Sequence, residues 1–388
     1  MEEINLDIHE VNQGAVISVI GVGGGGSNMV SYLTTTNPHN AIRLIAANTD
    51  IQHLQSTNAA VKMKLGEKLT KGLGAGMQPE IGKRAAEETY EEIKAVLADS
   101  DIVFISAGLG GGTGTGAAPV IAKAAKEVGA LTISIITKPF KMEGMKRSRL
   151  AEEGLRNLKL ESDCLIVIPN DRLLSIIPKN YGLRESFNMV NDVLARAVNG
   201  ISGVILEHSA HDINVDFADV QTVMSYKGLA LMGIGESSGD GAASHAVRMA
   251  IESPLFDNIS INGAMGILVN FEIHSNYPLL EIQEAMEIVN AIGDANEAAI
   301  VFGTRTLNDI PQDFVRVTIV ATGFEKEVVG GSDCESSSKT HTSQKSLEQS
   351  RDLIIDIQRR KVSGDEFRLL TDEHDSIDVP TYLRNQKD

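Results

Sequence analysis

Thr113 and Thr115 stand within the run GGGTGTG (110–116), two hydroxyls set among glycines, and that combination suits the holding of phosphate. Glycine lets the backbone approach an anion closely, and threonine adds donors. No lysine occurs in the run, and the pattern GxxxxGK[ST] occurs nowhere in the chain, so phosphate would be met by backbone and hydroxyl dipoles rather than by a loop cation. A second glycine run, GVGGGGSN (21–28), offers the same chemistry. A third constellation lies far along the chain in NVDFADV (214–220), where Asp216 and Asp219 are three residues apart and would share one helical face with Asn214 close by. On residue type and spacing alone they read as a helix cap and a first-turn acid. His208, His211 and Asp212 have a metal-like spacing, but at a helix end they read as carbonyl caps or solvent-facing groups.

The elements around these residues supply the positioning. AVISVI (15–20) reads as a buried strand feeding GVGGGGSN and then a helix, IRLIAA (42–47) as a strand ending in Asn48, Thr49 and Asp50, and DIVFISA as a strand feeding GGGTGTG and the helix AAPVIAKAAKEVG. PEIGKRAAEETYEEIKAVLAD (79–99) reads as one helix. ALTISII and DCLIVIP (163–169) are further strands, with GMKRSRLAEEGLRNLK a helix between them. This alternation with near-continuous apolar strands predicts a parallel sheet covered on both faces. RESFNMVNDVLARAVNGISGVILEH (184–208) reads as a long helix joining that unit to a smaller α+β domain with strands GLALMGIGE, AMGILVNFEI, AAIVFG and FVRVTIVATGF.

Gly21, Gly23 and Gly26 also match GxGxxG after a strand, and Asp50 ends the next strand where a dinucleotide enzyme places its ribose-binding acid, so an NAD-dependent oxidoreductase is a rival reading. A dinucleotide fold has one diagnostic phosphate loop. Two loops, each at a strand's carboxyl end and each opening a helix, instead suit one triphosphate gripped from two sides of the crevice where the sheet reverses its winding.

The series GVGGGGSN, NTD, KGLGAG, GGGTGTGAAP, TKPF, PNDRLL, NVDFADV resembles the tubulin/FtsZ family of GTP-dependent polymers over roughly residues 10–325. The resemblance implies an α/β fold: a Rossmann-like parallel-sheet GTPase domain (15–183), a central helix (184–208), a loop and helix (209–224), an α+β domain (225–326), a largely disordered linker (327–376) and a docking peptide (377–388), after an arm (1–14). It implies that Gly24, Gly25, Gly26, Ser27 and Asn28 line the pocket for GTP or GDP and that Gly112, Thr113 and Gly114 grip the β- and γ-phosphates. Glu143 and Arg147 then reach the ribose and phosphates and Asn170 the sugar and base, while Phe187 stacks on guanine and Asn191 reads its edge. Ser27 and Asn191 depart from the residues common in the family. The resemblance also makes Asn214, Asp216 and Asp219 catalytic in the pocket of the next subunit of a head-to-tail filament, with Mg²⁺ bridging the β- and γ-phosphates.

The net charge of −17 disfavours nucleic acid and direct insertion into an anionic membrane as partners. The acidic start MEEINLDIHEVN does not read as a signal peptide, and no apolar run is expected to span a membrane, so a cytoplasmic protein is expected. Cys164 and Cys334 sit in unlike settings and do not read as a disulfide or a metal site. SLEQSRDLIIDIQRRK (346–361) could form a short amphipathic helix. DVPTYLR, with Asp378, Val379, Pro380, Tyr382, Leu383 and Arg384, resembles the family's tail peptide for membrane-anchor proteins at the mid-cell division site.

Overall fold

The computed structural model describes residues 14–36, 41–174, 177, 180–206, 212–226, 228–256, 261, 263–292 and 298–324. Contacts divide the chain into two units, Met1–Glu327 and Val328–Asp388, and the second lies wholly outside the described residues, as do Cys334, His208, His211 and the segments 346–361 and 377–388.

Six strands run parallel: β1 (Ile17–Val22), β2 (Ile42–Asn48), β3 (Val61–Lys64), β4 (Ile102–Gly108), β5 (Leu131–Lys138) and β6 (Cys164–Pro169), side by side in the order β3-β2-β1-β4-β5-β6. The sheet continues through β7 (Gly228–Ser238), which pairs parallel with β6, and then through β10 (Phe314–Thr322), β8 (Gly266–Ile273) and β9 (Ala299–Thr306). There β10 is antiparallel to both β7 and β8, while β8 and β9 are parallel. The helices are α1 (Gly23–Thr36), α2 (Ile51–Ser56), α3 (Glu67–Thr70), α4 (Pro79–Glu88), α5 (Tyr90–Leu97), α6 (Thr113–Glu127), α7 (Met145–Glu161), α8 (Asn170–Leu173), α9 (Leu183–Leu206), α10 (Phe217–Met224), α11 (Ala242–Ile251) and α12 (Leu279–Asn290).

The period-two alternation of the strands feeds two cores. Ile17 and Val19 of β1 and Ile102 and Phe104 of β4 pack with α1 and α9, whereas Ile20, Val22, Val103 and Ile105 pack with α4, α5, α6 and α7. A third core joins β7, β8 and β10 to α11 and α12. Strand order reverses at β1 and β4, which opens the crevice at their carboxyl ends.

Three features differ from the sequence reading. The helix expected over 79–99 is broken at Thr89, whose hydroxyl donates to the Ala85 carbonyl at 2.8 Å and accepts the Gly66 N–H at 3.0 Å, so its side chain serves a neighbouring loop at the junction of α4 and α5. β3 was not anticipated, because VKMK reads as polar; it is the edge strand, where lysines blunt further pairing. Finally, Arg184–Leu206 is long and apolar enough to cross a bilayer by length and composition, with a mean hydropathy of 1.2, against the expectation that no run would be. Its apolarity has another cause: Leu194, Val198, Ile201 and Ile205 pack in one core with Met29 and Leu33 of α1 and Leu268 of β8. A helix shared between two parts of a core is apolar around more of its circumference than a surface helix.

Candidate functional site

The glycine-rich turns after β1 and β4 converge. Gly23 adopts φ +70°, and a Cβ there would lie 2.8 Å from the amide nitrogen of Gly114, so only glycine admits this approach of the two turns. Around them opens a cleft of about 650 Å³, lined by both turns, the end of β2, the segment Leu73–Gly76, the end of β5 and the first turns of α8 and α9. The volume falls in the range of small-ligand sites, roughly 300–1,000 Å³. A second cleft of about 930 Å³ lies between α4, α5, α6 and α7, and glutamates such as Glu87, Glu91 and Glu161 are among its lining residues.

Eleven of the thirteen expected ligand residues line the first cleft: Gly24, Gly25, Asn28, Gly112, Thr113, Gly114, Glu143, Arg147, Asn170, Phe187 and Asn191. Gly26 and Ser27 do not. A Cβ on Gly26 would come within 2.2 Å of the Ser106 carbonyl, so that residue presses α1 onto β4, and Ser27 is fully buried. Their positions in the motif serve packing of the helix, while Gly24, Gly25 and Asn28 face outward.

The walls carry definite electrostatics. Arg147 donates from Nη1 to Glu143 Oε2 at 2.6 Å, and Glu143 Oε1 accepts the Phe140 N–H at 2.9 Å, which fixes a guanidinium on the wall of the cleft. Phe187 is 45% exposed, its ring edge-on to Phe140 at a centroid distance of 5.9 Å, leaving a face free for a planar ligand. Asn170 is buried, yet its Oδ1 has no hydrogen-bond partner. A buried acceptor left open on a cleft wall fits a sugar hydroxyl donor from a bound nucleotide. Residues the sequence reading did not assign also line the cleft: Asn48, Asp50, His53, Leu73, Gly74, Ala75, Gly76, Thr137, Pro139, Val190 and Leu194. NTD and KGLGAG were visible as motifs, and a strand end beside a phosphate turn was the available signal.

Asn214, Asp216 and Asp219 do not line this cleft, and all three are exposed. Their segment is fixed from behind. Ile213 exchanges backbone contacts with Thr304 (N–H to Oγ1 at 2.8 Å, and Thr304 N–H to the Ile213 carbonyl at 3.1 Å), Thr306 donates to Asp212, and Val215, Val220 and Val223 are buried. Asp216 occupies the N-cap position of α10, but its carboxylate makes no capping hydrogen bond. Two carboxylates are thus presented outward on a rigid support. Cys164 is buried, and burial pushes its thiol up to about 12.

The sequence profile for the Tubulin/FtsZ family, GTPase domain, matches residues 16–178, and that for the FtsZ family, C-terminal domain, matches 228–325. The chain is 46% identical over 395 residues to the cell division protein FtsZ of Helicobacter pylori strain ATCC 700392 / 26695, covering 100% of this chain and 98% of that protein, and 45% identical to the FtsZ of strain J99 over the same shares. The chain belongs to the FtsZ family.

Among solved structures, the empty FtsZ dimer of M. jannaschii superposes with a TM-score of 0.76 at 44% identity, covering 81% of this chain and 90% of that one. CetZ2 from Haloferax volcanii shares the fold, with a TM-score of 0.68 at 21% identity. Membership of the FtsZ family makes this a cell-division protein of the tubulin-like GTPase class, which implies binding of GTP or GDP. The two profiles leave 179–227 between them, which is where α9 and the exposed carboxylates lie.

Proposed function

We propose that the chain is a head-to-tail polymerising GTPase whose active site is divided between neighbours. The carrying observation is that Asn214, Asp216 and Asp219 are exposed on a segment buttressed by β9 and are absent from the lining of the chain's own cleft. Carboxylates held rigid, facing outward and uncapped suit the completion of a neighbour's pocket, where they would orient the attacking water. The dimer described for the M. jannaschii relative supports self-association. A contact joining two different surfaces of one chain does not close, and so extends into a filament.

In this reading Gly24, Gly25, Asn28 and Gly112–Gly114 hold the phosphates by backbone and hydroxyl dipoles, Arg147 adds a fixed cation, and Phe187, Asn170 and Asn191 take base and sugar. Mg²⁺ held near the phosphates, with Asp50 the carboxylate closest to the end of β2, would offset the developing charge. Such an ion keeps several waters and asks for few protein ligands, which fits a cleft whose carboxylates are Asp50 and Glu143. Filaments would scaffold the cytoplasmic division ring at mid-cell, tethered through Asp378–Arg384 to membrane-anchor proteins. Deleting 377–388 should spare assembly and abolish anchor binding.

Phosphate release and light scattering, followed together over a series of protein concentrations, test the reading. Both signals rising at one shared threshold are expected. Scattering without phosphate release would favour a passive nucleotide-sensing scaffold, and neither signal would revive the oxidoreductase alternative.

A further inference from the structure

We propose that His53 is a nucleotide-contacting residue of this chain, and that it separates triphosphate from diphosphate by donating its Nε2–H to the terminal phosphate. Among the side chains lining the cleft, those that can carry charge are Asp50, His53, Glu143 and Arg147. Arg147 is paired with Glu143, and no lysine is among the lining residues, so of these four side chains His53 is the one beside the end of β2 that can donate a hydrogen bond to a phosphate.

Its hydrogen bonds fix which nitrogen does so. Asn48 Oδ1 accepts the Asp50 N–H at 3.2 Å, which orients the amide and turns Nδ2 toward His53 Nδ1 at 3.3 Å. Nδ1 is therefore an acceptor, and the ring proton sits on Nε2. The backbone is held as well, since Asp50 Oδ1 accepts the His53 N–H at 3.1 Å and so caps α2. Position along the cleft selects the ligand atom. Thr49 Oγ1 touches Thr113 Oγ1 at 2.6 Å, which ties the end of β2 to the phosphate turn. β2 and β6 are separated by four strand spacings, about 19 Å at ~4.8 Å each. Asn170 follows β6 and Phe187 lies on the first turns of α9, so base and sugar occupy that side of the cleft and the polyphosphate tail runs toward β2 and His53.

This rests on reading the cleft as a guanine-nucleotide site, and the test separates the two. Equilibrium affinities for GTP and GDP are measured below the concentration at which the protein assembles, for the unmodified chain, His53→Ala and His53→Gln. Expected are a loss of about tenfold for GTP in His53→Ala with GDP unchanged, and recovery of most of that loss in His53→Gln, whose amide restores a donor. Equal weakening for both nucleotides, or no weakening for GTP, overturns the assignment. If the unmodified chain binds neither nucleotide, the site itself is wrong and the proposal falls with it. Unchanged GDP affinity also reports that the variant is folded.

Discussion

The side-chain oxygens of Thr49 and Thr113 lie 2.6 Å apart, joining the end of β2 to the first residue of α6. Thr49 is fully buried, and its carbonyl also receives the N–H of Gly74, so the segment Leu73–Gly76 is tied to the same point. One hydroxyl contact and one backbone hydrogen bond at Thr49 thus tie three chain segments together at this end of the cleft.

Thr113→Val keeps the shape of the side chain and removes that hydroxyl contact. It leaves a buried hydroxyl on Thr49 without its partner, at a cost of about 1–3 kcal/mol, and takes a donor from the phosphate turn. Calorimetric titration should show GTP binding about tenfold weaker, together with a lower thermal midpoint. Full affinity would mean that the backbone amides alone hold the phosphates.

Asp216→Ala and Asp219→Ala should each leave nucleotide affinity within about twofold, because neither residue lines the cleft of its own chain, and should lower turnover at assembling concentrations by about a hundredfold. Mixing Asp216→Ala with Thr113→Val at equal concentration carries the sharper test. Where a chain with intact carboxylates meets a neighbour with an intact cleft, a complete site forms, so at GTP concentrations too low to saturate Thr113→Val the mixture should hydrolyse faster than either variant alone. A mixture no faster than the mean of its components would place all catalysis within one chain.

Much of this arrangement was legible in the sequence. Apolar strands ending in glycine runs gave the parallel sheet and both glycine-rich turns, because Gly23 and Gly112–Gly114 announce close backbone approach by residue type alone. His53 was not legible: it reaches the cleft because the helix after β2 flanks the switch point, and nothing in its own residue type says so. Gly26 and Ser27 are the converse case. They sit inside a ligand motif, but one turn of helix carries them from the cleft to the core. Thr89 broke an expected helix through hydrogen bonds to a loop more than twenty residues away.

Glu236 connects α9 to the far strands, accepting from Arg196 and from Arg316 Nε, the latter at 2.7 Å, while Arg196 also holds Asp192 at 2.7 Å. Burial pushes the Glu236 carboxyl up, but the guanidiniums of Arg196 and Arg316 outweigh it, and the net shift is downward. A depressed carboxyl contributes stability that is complete above its unfolded value, about 4.3, and is lost as pH falls through the folded value. The denaturant midpoint should therefore drop as pH is lowered from 6 toward 3 (~3 units spanning the carboxylate range), and the drop should be shallower in Glu236→Gln. Parallel curves for the two proteins would remove Glu236 from the acid sensitivity.

Asn191 lines the cleft one residue before Asp192, whose own carboxylate is already occupied by the Tyr32 hydroxyl at 2.9 Å and by Arg196. That neighbour is already engaged, which leaves Asn191 as the residue of the pair to which the proposed reading of the base edge is assigned. An amide accepts through one oxygen and can meet a single N–H of guanine, whereas a carboxylate can meet the ring N–H and the exocyclic amine together. Asn191→Asp should therefore sharpen discrimination between GTP and inosine triphosphate, which lacks the exocyclic amine, by about tenfold in the ratio of affinities. The gain should come mainly from tighter GTP binding, because the second acceptor has no donor to meet on inosine. An unchanged ratio would show that the base edge is read elsewhere and that Asn191 serves the wall of the cleft rather than its selectivity.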